Sequence, residues 1–247
     1  MVRILTYNVH RWLGTDRKIS PERICDVIAS CEPDIVALQE VRAGKLHKGA
    51  SDQAAEAARR LGMELHFQPT IRMLGDQFGI AILTKHPSVL VKADRLPSAA
   101  PGPSFEKRSA LWVRVMVEGV PVQVVNAHLS LRAKERLLQA EALVGPEWTG
   151  HPDCADPAVL LGDFNAPPRS RAYRVMAERL RDAQLRNPRG RPEPTFHTRA
   201  PLLRLDHIFT TPSIKVSAAA PYRVPLSKVA SDHFPLLADV SFKPTGE

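Results

Sequence analysis

Six short stretches carry the side chains best placed for polar chemistry: Tyr-Asn-Val-His (7–10), Leu-Gln-Glu (38–40), Asn-Ala-His-Leu (126–129), Gly-Asp-Phe-Asn (162–165), Leu-Asp-His-Ile (205–208) and Ser-Asp-His-Phe-Pro (231–235). Singly, each is weak, because an Asp after a strand more often forms a turn or caps a helix. Together they offer four carboxylates, Glu40, Asp163, Asp206 and Asp232, beside the imidazoles of His128 and His233 and the amides of Asn8 and Asn165. Two unit charges about 4 Å apart repel by ~1 kcal/mol in water and ~4 kcal/mol at an effective dielectric of 20. Such a cluster therefore needs a cation or protons to be tolerable. Oxygen donors without a thiolate favour Mg2+ or Mn2+ over zinc. An imidazole with an ordinary pKa near 6.5 exchanges protons near neutrality. Phosphoester hydrolysis uses that combination: a water held in line with the leaving oxygen, and charge neutralised on the phosphoryl oxygens.

The elements that must position these residues can be read from period and punctuation. Val2 to Asn8 alternates and reads as a strand that ends at Asn8. Ser20 caps a helix with Pro21 at its first position, and Ile24, Val27 and Ile28 form its apolar face. A short buried strand, Ile35 to Leu38, brings Glu40 to its C-terminal edge, and a helix from Asp52 to Leu61 closes at Gly62. Strands are predicted over 64–68, 79–84, 89–95, 111–117 and 120–127, with Glu118-Gly119 as a hairpin turn. A helix over 133–144 has Leu137, Leu138, Ala140 and Leu143 as its apolar positions. A buried strand over 158–162 stops at Asp163, a helix covers 170–180, and strands over 205–210, 214–220 and 236–242 complete the chain. The polar motifs fall within or just beyond the ends of apolar strands, where ligand sites of α/β proteins collect.

The 247 residues are 44% hydrophobic and 24% charged, ordinary globular values that exclude a disordered or fibrous chain. That length suits a single domain, 1–247, with one large core. No apolar run approaches the roughly 18 residues that span a bilayer, and the N-terminus reads as a strand and not a secretory signal. Cys25, Cys31 and Cys154 have no CxxC spacing. Cys25 and Cys31 lie six apart on one helix and so point to different sides; idle thiols in a reducing cytoplasm are expected. Lys+Arg 34 against Asp+Glu 26 gives a net charge of +8. Much of the excess lies in one stretch: Arg169, Arg171, Arg174, Arg179, Arg181, Arg186, Arg189, Arg191, Arg199 and Arg204. Such a stretch is either a solvated face or a surface that attracts an anionic partner.

The six motifs, in this order, resemble those of the endonuclease/exonuclease/phosphatase superfamily, the DNase I-like proteins, from the first strand to the last. The resemblance implies a four-layer α/β sandwich, two packed mixed β-sheets flanked by helices. It also implies hydrolysis of a phosphodiester, in nucleic acid or a phospholipid head group, with Mg2+ or Mn2+. Carried over by position, Glu40, Asn8 and Asp232 would be the metal-binding set. Asp163 and Asn165 would position the attacking water and hold the phosphate, to which Asn8 and His128 also belong. His233 would be the general base or a phosphate-stabilising imidazole, with Asp206 orienting it. His128 would assist the leaving group.

Some neighbours read as structural. His207 alternates with Asp206 and so points to the other face; Arg136 and Gln139 pack the helix after His128. His10 is undecided, and His47, His66, His86, His151 and His197 stand outside any motif. The chain departs from the family pattern at Ile80, where many members carry a polar residue, which leaves Asp76 or Gln77 as candidates to orient His128. The lysine and tyrosine pattern of abasic-site repair enzymes is absent. Two rival functions remain on this reading: a phosphomonoesterase of the same fold, and a non-catalytic binding protein that retains it.

Overall fold

The computed structural model describes residues 1–44, 52–73, 75–98, 107–188 and 190–242. His47 and Arg189 lie outside the described residues. The elements run β1 (Val2–Asn8), α1 (Pro21–Cys31), β2 (Ile35–Ala43), α2 (Gln53–Leu61), β3 (Glu64–Met73), β4 (Asp76–Thr84), β5 (Ser88–Arg95), β6 (Ser109–Val117), β7 (Val120–His128), α3 (Ala133–Leu143), β8 (Ala158–Asp163), α4 (Arg171–Arg179), β9 (Arg181–Asp182), α5 (Ala183–Arg186), β10 (Asp206–Thr210), β11 (Lys215–Pro221), α6 (Ser227–Ala230) and β12 (Leu236–Ser241).

They build two six-stranded sheets, in the orders β11-β12-β1-β2-β4-β3 and β5-β6-β7-β8-β10-β9. Each sheet has a parallel pair near its centre, β1 with β2 and β7 with β8. Parallel neighbours need a crossover, and α1 and α3 supply it. Ser20 Oγ accepts the backbone N–H of Arg23 at 3.2 Å, so the cap and Pro21 start α1 as the sequence predicts. Inner faces of the two sheets meet through Ile4, Ile35, Ile82, Val113, Val124 and Leu161. On the outer faces, α1 and α2 cover Leu5, Val36 and Leu38, while α3 and α4 cover Val125 and Leu160. Ile4 and Leu5 are thus both buried, on opposite faces, which is why the central strands read as continuous apolar runs. The result is the four-layer helix–sheet–sheet–helix sandwich.

Several elements differ from the sequence reading. The strands read as 64–68 and 79–84 extend to Glu64–Met73 and Asp76–Thr84. Pro69 hid the extension; β3 is an edge strand with a register shift between Pro69 and Ile71, where a missing N–H is tolerated. On α3, Leu138 is exposed while Glu135 and Gln139 are buried. Those two polar groups satisfy the loop after β7: Gln139 Oε1 accepts the N–H of Ser130 at 2.9 Å, and Glu135 accepts its hydroxyl at 3.1 Å. Cys25 and Cys31 do not point to different environments; both are buried in the layer between α1 and the first sheet. No helix among the described residues is long and apolar enough to cross a membrane.

One buried ionic cluster ties the second sheet to its helices. Asp182 Oδ2 accepts from Tyr173 Oη at 2.7 Å and Arg204 Nη2 at 2.6 Å, and Oδ1 accepts from the N–H of Gln184 at 2.9 Å. His207 Nδ1 lies 3.6 Å from the same carboxylate. Burial works to raise the Asp182 pKa, but His207, Arg204 and Tyr173 outweigh it and hold the carboxyl far below its usual range. A carboxyl depressed in the folded state stabilises above its unfolded pKa near 3.9, and the contribution is lost as pH falls. Asp182→Asn leaves Arg204 buried without its partner and is expected to cost about 3–5 kcal/mol in urea unfolding at pH 7. The gap from the wild type is expected to narrow steadily below about pH 4.

Candidate active site

The sheets bring the six motifs to one edge of the sandwich, at the C-terminal ends of the parallel pairs. Asn8 pairs with Gln39 in the first sheet, and in the second His128 pairs with Asp163 and Asp163 with Asp206 across three adjacent strands. The approach of β7 to β8 there leaves no room for a side chain at Gly162: its φ is +147°, and a Cβ would sit 1.9 Å from the Ala127 carbonyl oxygen. Gly-Asp in the fourth motif thus meets a steric requirement beside a chemical residue.

Glu40 reaches the site through a bulge. The β2–β4 register shifts between Leu38 and Val41, and Glu40 has a left-handed φ of 54°. Bulges re-aim side chains in this way, and a non-glycine residue in that region carries strain of order 1–3 kcal/mol. At the shift, Asn126 crosses from the other sheet and donates to the carbonyls of Leu38 and Ala81 at 2.9 and 2.8 Å. Gln39 Nε2 in turn donates to Asn126 Oδ1 at 2.8 Å. Asn126 and Gln39 lay inside quoted motifs, but the sequence assigned them no part; a buried amide next to a register shift is visible only in three dimensions.

Asn8 Nδ2 donates to Asp163 Oδ2 at 2.9 Å and Glu40 Oε1 at 3.2 Å. Its oxygen accepts the N–H of His10 at 3.0 Å, so Asn8 turns donors, and not its carbonyl, toward the carboxylates. His10 Nδ1 lies 3.7 Å from Asp232 Oδ1. His233 Nδ1 bonds Asp206 Oδ2 at 2.8 Å, and its Nε2 faces Asp163 Oδ2 at 3.7 Å. Ser231 anchors this last motif to the first by donating to the Asn8 carbonyl at 2.7 Å. His128 contacts neither Asp76 nor Gln77. Asp76 is engaged by Arg42 at 2.6 Å, while His128 Nε2 takes Asn165 Nδ2 at 3.3 Å and lies 3.5 Å from Asp163. Asn165 also donates to the Leu129 carbonyl at 3.0 Å. With both amide contacts inside the protein, Asn165 holds His128 in place. His207 points away, its Nε2 2.9 Å from the Ala166 carbonyl and its ring stacked on Phe164.

Electrostatics separate the two site imidazoles. Burial pulls His233 down, but Asp206, Asp163 and Asp232 together outweigh it and push it up to about 10. His128 is held well below its ordinary value by burial, with Arg108 and His233 adding to the effect. Burial, reinforced by Asp206, raises Asp163 against the opposing pull of His233 and the hydrogen bonds from Asn8 and Asn165. His233 is therefore the protonated imidazole at neutral pH and His128 the neutral one.

His233, His128, Asp163 and Asn165 line a cavity of about 790 Å³ together with Glu40, Asp232, Arg11, Lys107, Arg108 and Arg136. Its carboxylates Glu40, Asp163 and Asp232 offer the oxygen donors a hard divalent cation takes. Asp163, Asp206 and His233 can bring one ligand atom each to within 4.8 Å of one another, and Asp206 Oδ1 is buried with no hydrogen-bond partner. The cysteines are buried in the hydrophobic layers, so no thiolate competes. That compact trio differs from the set Glu40, Asn8 and Asp232 read from sequence. Three arginines of the Arg-rich stretch are engaged internally: Arg204 on Asp182, Arg181 on the Pro212 carbonyl and Arg199 on that of Thr15. Arg11 and Arg108, to which the sequence assigned no part, line the cavity instead, as does Arg136, which it read as a helix-packing residue.

A family model described as Endonuclease/Exonuclease/phosphatase family matches residues 5–233. YbhP of Escherichia coli (strain K12) is 27% identical over 256 residues, covering 96% of this chain and 95% of that protein. An endonuclease/exonuclease/phosphatase structure from Beutenbergia cavernae superposes with a TM-score of 0.80 at 25% identity, over 98% of this chain and 71% of that one. Another from Bacteroides vulgatus gives a TM-score of 0.76 at 23% identity, covering 98% and 99% of the two chains.

Asn126→Leu removes the donor to two buried carbonyls. It is expected to lower stability by about 2–4 kcal/mol, since each unsatisfied group costs roughly 1–3 kcal/mol. Urea unfolding followed by circular dichroism measures it; a loss below about 0.5 kcal/mol, roughly half an ordinary hydrogen bond, would mean that the bridge carries little.

Proposed function

Because the chain belongs to the endonuclease/exonuclease/phosphatase family, we propose that it hydrolyses a phosphodiester with a divalent cation, Mg2+ or Mn2+, by in-line attack of water. The observation that carries this reading is His233, bonded to buried Asp206 at 2.8 Å, facing Asp163 on the wall of one cavity with Glu40, while Asn8 behind the wall bonds both carboxylates. A cation in the Asp163–Asp206–His233 trio would have to displace that 2.8 Å bond. The trio is better suited to handling protons, which leaves Glu40 and Asp232, both on the cavity wall, to hold the cation. When bound, the cation would neutralise charge on the phosphoryl and leaving oxygens.

The protein's own groups do the rest. Asp163, with its raised proton affinity, orients the attacking water and takes its proton. The water oxygen bonds to phosphorus as the bond to the leaving oxygen breaks. The proton returns through solvent to the departing alcohol, so the products are one alcohol and one phosphomonoester. His233, held as an imidazolium by Asp206, donates to a phosphoryl oxygen as charge builds there. Neutral His128, fixed by Asn165, offers hydrogen bonding to the substrate and not a proton.

His233→Ala and Asp163→Asn are each expected to lower kcat by ~10²–10⁴ with the fold intact, judged by bis(p-nitrophenyl) phosphate turnover and circular dichroism. Near-normal activity of His233→Ala would remove the imidazole from the mechanism. Glu40→Ala is expected to raise the Mg2+ or Mn2+ concentration for half-maximal rate, and excess EDTA to abolish turnover of the wild type. Release of inorganic phosphate from a monoester at a comparable rate would identify a phosphomonoesterase.

A further inference from the structure

The cavity changes character directly beside the imidazole. The Phe196 ring lies 4.8 Å from that of His233, centroid to centroid. Leu131, Leu203 and Leu205 continue this apolar wall, and Ile71 and Phe78 line the cavity from the other sheet. Two of these leucines stand in water at the mouth, Leu131 71% and Leu203 43% exposed. Apolar side chains gathered at the rim of a polar cavity mark a surface completed by a ligand.

A cation stands between the wall and the carboxylates. Arg136 Nη1 donates to the carbonyls of Ser130 and Leu131 at 3.2 and 2.9 Å, which fixes the guanidinium beside Leu131. Arg136 makes no ion pair among the described residues, and its Nε is buried with no hydrogen-bond partner. It is close enough to Asp163 to feel that carboxylate. A half-buried guanidinium oriented by neutral carbonyls keeps its charge for an incoming anion.

We propose that the substrate is a small amphiphilic phosphoester: the phosphoryl group sits between the His233–Asp163 centre and Arg136, and an alkyl or aryl ester group lies on Phe196, Leu131, Leu203 and Leu205. This rests on the phosphodiesterase reading and adds the substrate class. An extended nucleic-acid strand needs cations spaced along its backbone and successive stacking platforms. Here Arg181, Arg199 and Arg204 are spent on internal carbonyls and a carboxylate, and Arg11, Lys107, Arg108 and Arg136 line a single cavity instead of tracking along a groove.

The test is a series of glycerol phosphodiesters carrying methyl, butyl and octyl groups, with Mg2+ or Mn2+ and products followed by phosphorus NMR. For the wild type, kcat/KM is expected to rise about threefold per methylene over the first few carbons, mainly through KM. Leu131→Ser and Leu203→Ser, both at exposed positions, are expected to flatten the series. Arg136→Gln is expected to lower kcat/KM by a similar factor on every member, and Arg136→Lys to restore only part of it. Dihexanoyl phosphatidylglycerol as monomers and a long-chain form in vesicles distinguish the sources. Turnover of monomers alone points to a free ester, and enhancement on vesicles to a lipid head group. A flat series in an enzyme that does turn over these esters overturns the proposal, as does faster cleavage of an oligonucleotide than of every member. If neither these esters nor bis(p-nitrophenyl) phosphate is cleaved with either metal, the phosphodiesterase reading itself fails.

Discussion

The Asn126 amide joins the two halves of the molecule where they have to agree. Strand β2 must leave its ladder with β4 to turn Glu40 inward, and the shift follows immediately after the Leu38–Ala81 pair. Asn126 donates to both of those carbonyls from the opposite sheet, and Gln39 holds its oxygen. A buried carbonyl without a donor costs about 1–3 kcal/mol, comparable to the strain at Glu40 itself. The bridge therefore offsets the departure from regular pairing that puts a carboxylate in the cavity. It also sets the spacing of the sheets, because an amide has a fixed reach and carbonyls accept only over a narrow distance.

Two buried carboxylates on this scaffold show how pairing separates structure from chemistry. Both oxygens of Asp182 accept hydrogen bonds, from Tyr173, Arg204 and Gln184, and its pKa is driven far down. Asp206 has one oxygen on His233 and the other buried without a partner, and Asp163 beside it is raised. At an effective dielectric of 20, neighbouring carboxylates about 4 Å apart repel by ~4 kcal/mol. A protonated His233 relieves part of that, and a divalent cation would relieve more. Incomplete pairing of buried charge is expensive in a merely structural site, and its concentration in one cavity points to function.

The central strands were legible because both of their faces are buried, and burial writes itself as runs of Ile, Val and Leu; the four-layer sandwich itself came from the resemblance of the six motifs. The sequence also carried the site's chemistry, since Asn8, His128 and Asp163 end strands of the two parallel pairs, and Asp206 and His233 stand just before or at the start of the strands that join them. Less legible was everything set by contacts between sheets. The bulge at Glu40 has no local signature; the roles of Asn126 and Gln39 depend on a partner strand some 90 residues away. The orienting partner of His128 was sought on β4 because pattern suggested it, yet Asn165 serves from the turn after β8. Arg136 looked like a helix-packing residue because its spacing on α3 fits that role; the direction of its guanidinium depends on the loop carbonyls of Ser130 and Leu131.

Each sheet contributes one β–α–β unit, β1–α1–β2 and β7–α3–β8, and the two parallel pairs end at the same edge of the sandwich. The centre is thereby fixed by strands that are hydrogen-bonded on both sides and packed on both faces. The walls of the cavity come from different material: the loop after β7, the segment before β10, and the edge pair β3–β4. Such segments can change length and polarity without disturbing strand register. The same carboxylates and imidazoles can accordingly serve different phosphoesters as these walls vary. In this chain those segments carry Leu131, Leu203, Leu205, Phe196, Ile71 and Phe78, so the walls beside the polar centre are apolar.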